Sequence, residues 1–153
     1  MRSLALVLLA FPTFPLLSPL LAPGIAASAP SLVREEDDTP LMKGMEKLDA
    51  AMELLKRSVL DPAQDAKSLE QLAIAQQACV ASKSMVPKMA EKTPVAERAG
   101  FVTSYRKGMV AVLVELANLE AAVLDGDRER ARSLWKKLDG MKDEGHNTFT
   151  EGE

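Results

Sequence analysis

From Thr39 onward the chain places apolar residues at steps of three and four. Leu41, Met45, Leu48, Met52, Leu55 and Val59 step by 4, 3, 4, 3 and 4, a heptad seam on one face of a helix. Thr39 is positioned to cap that helix, and Pro40 takes the first helical position, where a missing N–H costs nothing. Asp61 and Pro62 restart the chain as cap and first turn, and Gln64 stands where it completes a capping box. The second helix is expected to run to about Met85 and to end at Pro87, with Leu69, Leu72, Ala73, Gln76, Cys79 and Val80 inward. Its face is the least apolar of the set.

A connection from Met85 to Pro94 follows, with Thr93 and Pro94 as the next cap and start. The third stripe is Val102, Tyr105, Met109, Val112, Leu116, Leu119 and Val123, again in steps of three and four. Gly126 then ends a helix and Asp127 caps the next. The fourth stripe is Ala131, Leu134, Leu138, Met141 and Gly145, with Trp135 and Phe149 beside it. No stretch alternates as a strand would. Four helices of similar length joined by short turns predict an all-α fold, an antiparallel up-down-up-down four-helix bundle over residues 39–150.

The first thirty residues have a different pattern. Arg2 is followed by a long apolar run that closes on Ala26, Ala27, Ser28 and Ala29. Basic start, apolar middle and small-residue exit are the layout of a cleaved secretory signal, assigned to residues 1–28. Pro12, Pro15, Pro19 and Pro23 break the run repeatedly, and the following Arg34–Asp38 is mostly acidic, which disfavours a retained membrane anchor. Export across the inner membrane, and so a periplasmic location, is the expectation.

Charge and side-chain chemistry then narrow the function. The formal net charge is -3, and a mildly acidic, mixed-charge domain carries no footprint for nucleic acid. Cys79 is the single cysteine, so no intrachain disulfide forms. One histidine and one cysteine cannot build a conventional zinc site. No nucleophile motif is present, so no enzyme is expected. What remains is soft sulfur and one imidazole. Each methionine at a seam position is first a filler of irregular core space. His146, the sole histidine, sits near the end of the fourth helix, where a partly cationic ring would complement the helix dipole. In an up-down-up-down bundle, however, Met45 near the start of the first helix and His146 near the end of the fourth lie at the same end. His146 falls roughly 80° from Leu138 and roughly 60° from Phe149 around its helix, at the edge of the apolar stripe. A thioether and an imidazole facing across a cleft are the axial pair of haem iron in electron-transfer cytochromes.

Four stretches resemble the soluble cytochrome b562 family: "MEKL" at Met45–Leu48, "VPKMAEKTP" at Val86–Pro94, "YRKGM" at Tyr105–Met109, and the run from Gly126 to His146. The resemblance spans about Pro40 to Phe149. It implies a periplasmic b-type cytochrome with non-covalent haem b, passing electrons to an unidentified periplasmic redox partner, and a monomer. It implies iron held by Met45 and His146. The family's aromatic pair against the haem falls on Tyr105 and Met109, so one aromatic is replaced, and Lys142 stands where a basic residue would meet a haem propionate. The alternative is a haem-free bundle that binds a partner protein or a soft metal through its methionines.

Overall fold

The computed structural model describes residues 39–150, and the secretory signal expected at residues 1–28 lies outside the described residues. Five α-helices and one 3₁₀ turn form a helical bundle, with no strand among the described residues. Helix α1 spans Pro40–Ser58; the Thr39 hydroxyl accepts from the Met42 N–H at 3.2 Å, the expected cap. Its inward seam is Leu48, Met52, Leu55 and Val59, all buried, with Leu41 and Met45 partly buried at the open end. The chain breaks at Asp61. Its carboxylate accepts from the Ala63 N–H at 3.0 Å and from the Gln64 side-chain amide at 2.9 Å. The Gln64 side chain thus bonds the capping carboxylate instead of the backbone N–H of a capping box.

The second helix departs from expectation in three ways. Pro62–Gln64 is a 3₁₀ turn, α2 proper spans Asp65–Ser82, and the helix stops short of Met85 and Pro87. Its inward face is also rotated. Ser68, Gln71, Leu72, Ala75, Ala78, Cys79 and Ser82 are buried, whereas Ala73 and Val80 face outward. The buried set is mostly small, and small side chains let neighbouring helices approach closely. Gly44 of α1 meets Ser82 so closely that a Cβ there would overlap its Oγ. Further along, Ser68 Oγ donates to Ser58 Oγ at 2.9 Å, and Ser58 Oγ donates to the Leu54 carbonyl at 3.2 Å, so these buried hydroxyls are satisfied.

The connection expected between Met85 and Pro94 contains a one-turn helix, α3, Met89–Lys92. Thr93 does not cap the following helix. Its hydroxyl donates back to the Met89 carbonyl at 2.9 Å, and Arg98 donates to the Glu91 carbonyl at 3.1 Å. Helix α4, Val95–Leu124, has 30 residues, so the helices are not of similar length. Tyr105, Met109, Leu116, Leu119 and Val123 of its predicted stripe are buried. Gly126 adopts φ 70, the left-handed conformation a side chain would strain. Its N–H donates to the Val123 carbonyl and the Asp127 N–H to the Ala122 carbonyl, a Schellman turn. Asp127 then caps α5, Arg128–Phe149, by accepting from the Arg130 N–H at 2.9 Å. Of the predicted fourth stripe only Ala131 and Leu138 are fully buried.

Side-chain contacts fix the registers between helices. Ser58 meets Ser68 and Gly44 meets Ser82 between α1 and α2. Between α2 and α4, Gln76 donates to Glu120 at 2.7 Å and the Tyr105 hydroxyl donates to the Ser82 carbonyl at 3.2 Å. Lys137 and Glu115 pair at 2.7 Å, and Phe149 meets Tyr105, between α4 and α5. Arg128 of α5 bonds Asp65 at the start of α2 and the Val59 carbonyl at the end of α1.

Candidate functional site

Met45 and His146 come from helices that are adjacent in space but first and last in sequence. One ion pair sets their relation. Lys142 Nζ lies 3.0 Å from Asp49 Oδ1. At the far end Arg128 bonds the Val59 carbonyl. The chain therefore climbs α1 from Asp49 to Val59 while α5 descends from Lys142 to Arg128. Met45 is four residues before Asp49, and His146 four residues after Lys142. Residues four apart share a helix face, so each side chain stands about 6 Å beyond the ion pair in the same direction. Met45 and His146 thus belong to the same end of the molecule.

Their environments differ. Met45 is half-buried against the core, while the His146 side chain is exposed. The helix holds its form through Gly140 and Gly145, although glycine inside a helix costs about 1 kcal/mol relative to alanine. Its last turn is closed by Thr150, whose N–H and hydroxyl both donate to the His146 carbonyl, at 3.1 and 2.6 Å. The His146 main chain is thus fixed while its ring stays available. A Cβ at Gly145 would meet nothing within 4 Å, so the backbone beside the histidine borders open space.

Tyr105 and Met109, the positions implied for the aromatic pair, are buried on α4. The Tyr105 phenol is held by the Ser82 carbonyl. Burial pushes its pKa up to about 12, with Cys79 adding to the shift. The Met109 carbonyl accepts from the Cys79 thiol at 3.1 Å, and burial pushes that thiol up to about 11. Cys79 is therefore a protonated core residue and not a soft ligand. The aromatic lost at Met109 is offset by two rings not expected at the site. Phe149 stands edge-on to Tyr105 with centroids 5.5 Å apart, and Phe101 stands edge-on to Phe149 at 5.4 Å. Phe101 lies four residues before Tyr105, a spacing visible in the sequence.

Lys142, implied as a propionate partner, is engaged by Asp49. No group of three or more His, Cys, Asp or Glu side chains that could hold a metal ion occurs among the described residues. A thioether and an imidazole, the donors Met45 and His146 would offer, are a set suited to haem iron rather than to zinc or calcium.

The cytochrome b562 family model matches residues 40–150. The chain belongs to the cytochrome b562 family. The match covers all five helices, from the first residue of α1 to one residue past the end of α5. The family is one of haem-binding b-type cytochromes, and the donor chemistry of Met45 and His146 fits that group. No curated protein matches the chain. No helix among the described residues is long and apolar enough to cross a membrane.

Proposed function

We propose that the protein is a periplasmic electron carrier, an antiparallel up-down-up-down bundle that holds non-covalent haem b through Met45 and His146. The contact of Asp49 with Lys142 carries this reading, because it supports a thioether and the sequence's one imidazole lying at the same end of the molecule. The helix contacts support the topology: each paired helix meets its neighbour with residue numbers rising on one side and falling on the other. The basic, apolar and small-residue order of residues 1–28 supports export.

A bound haem supplies a one-electron iron couple, and a thioether ligand favours its reduced form. The chain's own residues would do the rest. His146 offers its ring from a turn clamped by Thr150. Met45 offers sulfur from the half-buried end of the α1 seam. Tyr105, Met109 and Phe149 would give that end an apolar wall. If Met45 and His146 both held the iron, the chain would leave no open site for dioxygen, which would favour electron transfer over oxygen chemistry.

The test is titration of haemin into the purified protein. A Soret band with the sharp reduced spectrum of a six-coordinate iron is expected. A chain that binds no haem would sink the proposal and leave a bundle acting through its protein surface or its methionines.

A further inference from the structure

The outer faces of α2 and α4 are unlike those of α1 and α5. No residue from Gln71 to Ser82 is charged, and none from Gly108 to Val114. These are the central turns of two neighbouring helices. Val80, Val110 and Val114 are 47%, 44% and 51% exposed there. A groove between the helices is lined by Ala73, Gln76, Gln77, Val80, Ala81 and Leu113. The outer faces of α1 and α5 instead carry charge on almost every turn, as in Glu53, Lys56 and Arg57 or Arg132, Lys136 and Asp139. A helix that is apolar on both its inner and outer faces is normally covered on both.

The ends of the apolar strip are charged and of opposite sign. Glu70 lies seven residues before Gln77 on the same face of α2 and is exposed. Glu120, held by Gln76, adds a second carboxylate towards that end. Arg106 lies four residues before Val110 on α4 and is exposed, with Lys107 beside it. The contact of Tyr105 with Ser82 puts Arg106 at the end remote from Glu70.

We propose that this face joins two copies of the chain in a reversible dimer, related by a two-fold axis that lies in the interface plane, perpendicular to the line from Arg106 to Glu70. Such an axis lays the uncharged centre on itself and sets Arg106 of each copy opposite Glu70 of the other. Charge complementarity singles out a second copy, because one chain supplies both signs in the order a two-fold needs. The strip is about 18 Å long from Glu70 to Ser82 at 1.5 Å per residue, and about 20 Å wide across two helices. Two such faces bury roughly 700 Å² in total, below the roughly 1,200 Å² of a stable standard interface. The dimer is therefore weak and concentration-dependent. It leaves the α1–α5 side, with Met45 and His146, uncovered, and it does not depend on haem binding.

Sedimentation equilibrium on the full purified chain tests this from micromolar to millimolar concentration. The weight-average mass of the unsubstituted protein should climb from one chain towards two. Val80→Lys should stay at one chain throughout, with the circular dichroism spectrum and melting curve unchanged because the valine is outside the core. Arg106→Glu should weaken association about tenfold, and adding Glu70→Arg to it should restore the original curve. An unsubstituted chain that stays monomeric at millimolar concentration overturns the proposal and leaves the face to a different protein. So does a Val80→Lys chain that dimerises normally, which would place the contact elsewhere, including the apolar leader. A charge swap that restores nothing overturns the two-fold arrangement.

Discussion

Lys142 Nζ and Asp49 Oδ1 are 3.0 Å apart, and they lock the last helix to the first one turn short of Met45 and His146. Both side chains are partly exposed, so the pair contributes little to folding. Asp49→Asn should cost under about 1 kcal/mol in urea unfolding of the apo protein, and high salt should erase most of that difference. Haem affinity should fall by more than stability does, because the substitution frees the register. Equal losses in both would make the pair an ordinary surface contact.

Met45 and Met52 share one seam but differ in burial. Met52 is 5% exposed and Met45 half-buried. Met52→Ala should destabilise the fold by about 2–5 kcal/mol and leave a haem spectrum unchanged. Met45→Ala should cost less stability, remove the thioether signature and lower the reduction potential. Identical spectra for the two variants would reduce Met45 to a packing residue.

The His146 ring is exposed. Exposed substitutions away from special features stay within about 0.5 kcal/mol. His146→Ala should therefore leave the apo melting curve almost unmoved while haem affinity collapses. A clear loss of apo stability with haem binding intact would return the histidine to a helix-dipole role.

Alkaline stability should fall in a defined window. Burial raises the Cys79 thiol from 9.0 to about 11, and raises the Tyr105 phenol from 10.0 to about 12, where Cys79 adds to the shift. Both groups are neutral when protonated, and the folded chain holds those protons longer than the unfolded chain. Their contribution is thus fully present below pH 9 and is lost as pH rises through 11 and 12. Cys79→Ala should flatten the lower part of that decline and Tyr105→Phe the upper part, read from urea midpoints at successive pH values. Parallel declines in all three proteins would remove these groups as the cause.

The leader makes a separate prediction. Mass spectrometry of native protein should find an N-terminus between about Ala27 and Leu32. Intact Met1 in the soluble fraction would contradict export by cleavage.

The seams of α1 and α4 were legible because large apolar side chains recur there at unambiguous helical spacing. The face of α2 was not. With Ala, Val, Ile and Gln around its whole circumference, periodicity cannot choose a side, and close approach to α1 buries Ser68, Ala78 and Ser82 in place of the larger Val80. The break at Asp61 was visible, but α2 ends at Ser82, five residues before Pro87. At the site, Met45 and His146 followed from bundle topology and family resemblance. Asp49 as the partner of Lys142 did not, because register between the first and last helices leaves no mark on local pattern. Phe149 was read only as a neighbour of the apolar stripe, since its edge-on contact with Tyr105 depends on the register between α4 and α5.

The Schellman turn at Gly126 makes α5 a tethered arm. Only Ala131 and Leu138 of that helix are fully buried, so it is the long helix that lifts from the others at least cost. The link to α4 is only Asp125, Gly126 and Asp127, and the closure entropy of so short a connection is small. A lifted α5 stays at high effective concentration beside the helices it left. Loading a flat cofactor between the first and last helices would then require one arm to swing out and return. On the proposed reading that arm would be α5, which carries His146, and the short turn at Gly126 would return it to the same place.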